Sequence, residues 1–160
     1  TDCGCFRYAN VTAETFAAAS ELLTYGAQVQ KLNFDLFRQV SRARMTLEGS
    51  ILSGLKYFFD GKVVAATVTK QMMLDAGATE NDCDDIAGIP GKAEGCVVSL
   101  VIRELDGKCK VSVRSHEVFD SSALCAKFGG GGHKMASGCT IEAEPEETLQ
   151  LLVDAIAEVL

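Results

Sequence analysis

Apolar positions recur at helical spacing through the first sixty residues; from Gly61 onward they fall into short alternating runs bounded by Gly and Asp. Thr12 and Glu14 read as a helix start, Phe16, Ala19, Leu22 and Leu23 as its apolar stripe, and Gly26 as its stop. A second helix is predicted from about Asn33 through Leu36, Phe37 and Val40. Leu47, Ile51, Leu55 and Phe58 predict a third, ending at Asp60-Gly61. The β-branched run 63–69 predicts a strand, and Met72, Met73 and Leu74 a short helix. Another helix is expected from Thr79 to about Gly88. Residues 96–104 and 108–115 form two strands around Asp106-Gly107, a strong hairpin signal. A helix over 121–128 then runs into four glycines, a strand follows over 138–143, and Pro145 opens a last helix with Leu149, Leu152, Val153 and Ile156 inward. The fold class is α/β: a mixed β-sheet with flanking helices, preceded by a helical segment.

Charge narrows the function. The net charge is −7 at pH 7, which argues against a protein that coats duplex nucleic acid. A small site gripping one or two phosphates with local cations remains compatible with it. No apolar run approaches the length of a bilayer span, so no membrane association is expected. The first residues, Thr1-Asp2-Cys3-Gly4-Cys5, resemble neither a natural start nor a signal peptide, and the chain reads as a piece cut from a longer protein. Seven scattered cysteines, without a CxxC pair, suggest a reduced, cytoplasmic protein. Nothing in the sequence indicates an oligomeric state.

Three features could carry chemistry. The first is Phe128-Gly129-Gly130-Gly131-Gly132-His133-Lys134. Four glycines cost conformational entropy, and their merit is a backbone that approaches a ligand closely, with His133 and Lys134 adding donors and charge. The run is neither a Walker A loop nor a dinucleotide fingerprint. A tight turn with a solvated histidine is the plainer alternative. The second is Arg114-Ser115-His116 at the end of a strand whose alternate residues are polar; Arg114 offers a planar fork suited to phosphate and Ser115 a hydroxyl. The third is Asp2, a lone carboxylate that could ligate a divalent metal.

In this order, the segment 1–8, the run Val111-Ser112-Val113-Arg114-Ser115, and the stretch from Ala126 through the glycines to His133-Lys134-Met135-Ala136-Ser137-Gly138 resemble the DHH phosphoesterases. Within them they are most similar to the bifunctional oligoribonuclease/3′-phosphoadenosine-5′-phosphate phosphatases, kin to RecJ exonucleases. The resemblance implies a two-domain enzyme: a catalytic domain with two divalent metals, usually manganese, and a DHH-associated domain that grips the substrate. On that basis residues 1–45 are the end of the catalytic domain, 46–60 a connector helix and 61–160 the DHH-associated domain. Asp2 would be a metal ligand. Arg114, Ser115, Gly130, Gly131, Gly132, His133 and Lys134 would hold a nucleotide or short RNA. No catalytic residue falls within the chain, because the Asp-His-His motif is absent from it, so the chain alone is expected to be inactive. Cys3 stands where Thr is common and His116 where Lys is frequent. A cyclic-dinucleotide phosphodiesterase and a non-catalytic nucleic-acid-binding module are the alternatives the resemblance leaves open.

Overall fold

A computed structural model describes residues 3–7, 10–116 and 118–160. The chain divides into two compact units, residues 1–41 and 42–160. The first contains α1 (Ala13–Thr24), α2 (Val29–Asn33) and a π-helical turn at Phe34–Arg38. Thr12 caps α1 reciprocally with Thr15. The rings of Phe6 and Phe16 stack at 5.1 Å, and Asn33 donates to Cys5 Sγ at 2.9 Å. None of these helical segments buries a residue: Phe16, Leu22, Leu32 and Phe34 are all at least half exposed. Among the described residues of this unit no large apolar side chain is buried.

The second unit is built on a mixed sheet whose described strands run in the order β1 (Lys56–Phe58), β2 (Val63–Val68), β3 (Val98–Leu105), β4 (Lys108–Ser115), β6 (Ala136–Ile141), β5 (Gly131–His133). Among the described residues only β2 and β3 pair in parallel. The chain between them forms α4 (Lys70–Ala76) and three short 3-10 turns. One face of the sheet presents Leu100, Ile102, Val111 and Val113 to α5 (Ser121–Ala126) and α6 (Pro145–Ala157), which contribute Leu124, Cys125, Leu149, Leu152 and Ile156. Burying each large aliphatic side chain stabilises the fold by roughly 1.5–3 kcal/mol. On the other face α3 (Arg42–Ser53) and the 3-10 turns cover Ala66, Val68 and Val101, so this second core lies over β2 and β3.

Three sequence expectations are corrected. The helix expected to reach Phe58 stops at Ser53, where the Gly54 N–H bonds back to the carbonyls of Ser50 and Ile51. Residues 56–58 instead pair with β2 across a turn in which Phe59, Asp60 and Gly61 all have positive φ, and cross-strand pairing outweighs the i, i+4 pattern. The helix expected over 79–88 is a series of 3-10 turns: Thr79 and Asp82 cap each other and Asp85 is left-handed, so side chains compete for the backbone. The glycine run is not a free turn. Residues 131–133 form β5 on the edge of the sheet, and β6 begins at Ala136 after a two-residue connection.

A fragment 42–160 should therefore unfold as one cooperative transition in denaturant. Within it Leu152→Ala, at a fully buried position of α6, should cost about 2–5 kcal/mol. A broad, non-cooperative melt of 42–160 would show that residues 1–41 are needed to close the core.

Candidate functional site

The second core includes no residue beyond β3; the turn at Ile86–Gly88 reaches β4, where Ser112 is half-buried, and the rest of this face is open across β6 and β5. Lys110, Ser112 and Arg114 point from β4 to this side, opposite the buried Cys109, Val111 and Val113. Their lateral neighbours on β6 are Thr140, Gly138 and Ala136, all small. The third row ends on β5, with Arg114 beside Ala136 and Ala136 beside His133. Paired residues share a face, and two strand spacings put the Arg114 and His133 Cα atoms about 10 Å apart, within the combined reach of their side chains. A cleft of about 610 Å³ lies along these strands, lined by Lys110, Ser112, Arg114, Phe128, residues 129–131 and residues 136–140. None of its lining residues is acidic. Arg114 donates from Nη1 to the Val113 carbonyl at 2.9 Å, and no carboxylate among the described residues pairs with it.

The remaining candidates divide. Ser115 alternates with Arg114 and so lies toward the opposite face. Its hydroxyl donates to the Phe119 carbonyl at 3.0 Å and accepts from Ser121 Oγ at 2.8 Å, which ties β4 to α5. Lys134 is exposed in the β5–β6 connection, where its carbonyl accepts from the Ser121 N–H at 2.8 Å. Asp2 lies outside the described residues. The resemblance picks out Arg114 on β4 but passes over Lys110 and Ser112, which the alternation of β4 includes, and Thr140, which only the pairing of β6 with β4 brings beside Lys110.

Each glycine has its own reason. The N–H groups of Gly129 and Gly130 are already bonded to the Ala126 and Cys125 carbonyls, closing α5, so neither is free to meet an anion. A Cβ on Gly130 would sit 2.3 Å from the Gly138 carbonyl oxygen and 2.5 Å from Cys139 Cβ. Gly132 has φ +144° and would meet the Ala136 carbonyl at 2.7 Å. Gly131 differs: its φ is not positive, and a Cβ there would have nothing within 4 Å. The fold explains three glycines and leaves the fourth open to the cleft. Below the run, Cys139 and Cys125 are buried together, and the neighbouring thiol with burial pushes the Cys139 thiol far up.

Residues 60–160 match the DHHA1 domain family. The chain belongs to this family. It is 38% identical, over 100% of its own length and 48% of the relative's, to the bifunctional oligoribonuclease and PAP phosphatase NrnA of Thermus thermophilus. To the protein of the same name from Bacillus subtilis it is 27% identical, over 88% of the chain and 44% of that relative. The crystal structure of an exopolyphosphatase-related protein from Bacteroides fragilis superposes with a TM-score of 0.91 at 28% identity, covering 98% of this chain and 46% of that one. The chain thus spans about half the length of the curated relatives it matches.

The glycine geometry predicts a graded series. Gly130→Ala and Gly132→Ala should each destabilise the protein by roughly 1–3 kcal/mol, because backbone would have to shift. Gly131→Ala should stay within about 0.5 kcal/mol of wild type. Denaturant midpoints at constant m-value measure this, and equal losses at all three positions would refute the distinction.

Proposed function

We propose that this chain is the substrate-gripping part of a metal-dependent phosphoesterase that hydrolyses short oligoribonucleotides and 3′-phosphoadenosine 5′-phosphate. The observation that carries the reading is the acid-free sheet face on which Arg114 and His133 share a row beside the empty space over Gly131. The names of the curated relatives support the substrate class. Arg114 supplies a charge-assisted, forked contact to a phosphate, and His133 adds a ring N–H from the sheet edge. Gly131 leaves room for the ligand to lie against the backbone.

A pair of divalent ions, proposed as manganese, would supply an activated water and stabilise the leaving oxygen in such a reaction. Among the described residues no group of three or more His, Cys, Asp or Glu comes together to hold a metal ion. These residues do not fit that centre, and their part is to bind and orient the substrate. The reading includes a reduced, cytoplasmic setting. All seven cysteines are free thiols, and among the described residues no helix is long and apolar enough to cross a membrane.

Titration of 3′-phosphoadenosine 5′-phosphate at fixed salt tests the site. Arg114→Ala should weaken binding roughly ten- to a hundredfold, the cost of one charge-assisted contact of about 1.5–3 kcal/mol. Gly131→Val should weaken it while leaving the unfolding midpoint in place. Measurable binding that neither substitution changes would put the ligand elsewhere.

A further inference from the structure

Lys110 lies on the same face of β4 as Arg114, four residues away, which puts their Cα atoms about 13 Å apart along the strand. Both are exposed and both line the cleft. The row of Lys110 is Arg103 on β3 and Thr140 on β6. Arg103 is bound through Nη1 to Glu80 at 2.8 Å, which neutralises one cation there and leaves Lys110 over. The buried Nε of Arg103 has no hydrogen-bond partner. At the β3–β4 turn the Lys70 ammonium pairs with Asp106, and its backbone N–H donates to Glu104. Among the described residues Lys110 itself pairs with no carboxylate. Between the two cations the floor is Ser112, Gly138 and Gly131, with no bulky side chain to interrupt a ligand crossing it.

We propose that Lys110 binds a second phosphate of the strand whose first phosphate is held at Arg114, so that the open face distinguishes oligonucleotides from mononucleotides. The inference rests on the phosphate-binding reading of the Arg114 face. An ammonium on a flexible stem suits the second position because it follows a phosphate along a mobile backbone, whereas the Arg114 fork fixes the terminal one.

The test is competition of AMP, pApA and pApApA against a fluorescent pApA on the 160-residue chain, at fixed salt and then across a salt series. Lys110→Gln should lower the affinity for pApA and pApApA roughly five- to tenfold and leave AMP unchanged. The log–log salt slope for pApA should become shallower by about 0.7, the share of one single-strand phosphate contact. Lys110→Arg should keep both values near wild type. Lys56→Gln, on the far edge strand β1, makes the same charge change and should alter neither. Equal loss for AMP and pApA, or no loss for either, overturns the role of Lys110. If Arg114→Ala leaves all three ligands unaffected, the reading of the face itself fails instead.

Discussion

Strand β4 is buried on one side and largely open on the other, and the position of the candidate site follows from that asymmetry. Cys109, Val111 and Val113 anchor it to α5 and α6, so its register cannot slip without turning charged residues into the core. That fixed register aims Lys110, Ser112 and Arg114 away from the core. The apolar layer over this second face packs on Ala66, Val68 and Val101; the turn at Ile86–Gly88 also reaches β4, and no residue of β6 or β5 belongs to the layer. A sheet half covered on one side has a built-in step, and the cleft is the floor beside that step.

The glycine run meets two demands at once. It must leave α5 sharply, which uses the N–H groups of Gly129 and Gly130 and the positive φ of Gly129 (+70°). It must then press against β6 so closely that Gly130 and Gly132 have no space for a Cβ. Backbone N–H groups at the start of the run are therefore structural, which on the proposed reading leaves anion binding to side chains on the neighbouring strands. Gly131 is where the two demands separate, since nothing in the fold forbids a side chain there.

How legible this was in the sequence depended on how local the cause was. The β3–β4 hairpin could be read because Asp106-Gly107 and the alternation beside it act over a few residues. The first strand could not: Leu47, Ile51, Leu55 and Phe58 fit a helix, and only pairing with β2 makes 56–58 extended. For the site, Arg114 and the glycines could be found from their resemblance to a known family. Ser115 came from the same resemblance, and as the neighbour of Arg114 on a strand it lies toward the opposite face, where its hydroxyl bonds to Phe119 and Ser121. Lys110 was visible in the same alternation, but its meaning depended on β6 presenting Thr140, Gly138 and Ala136 beside it, which is a non-local fact.

Electrostatics then limits what this face can hold. With 22 acids against 15 Lys and Arg, the protein repels polyanions at long range. An anion is favoured where carboxylates are locally absent: no acid lines the cleft, and around it Glu80 is paired with Arg103 and Asp106 with Lys70. Screening confines such a local field to about 8–10 Å at physiological salt. A duplex laid across the cleft would bring most of its phosphates beyond that range, over acidic surface, and gain little from the few cations beneath it. A strand of a few nucleotides keeps nearly all its charge over Arg114, Lys110 and the glycine floor. On the proposed reading of this face, the same imbalance that disfavours a duplex favours a strand of a few nucleotides.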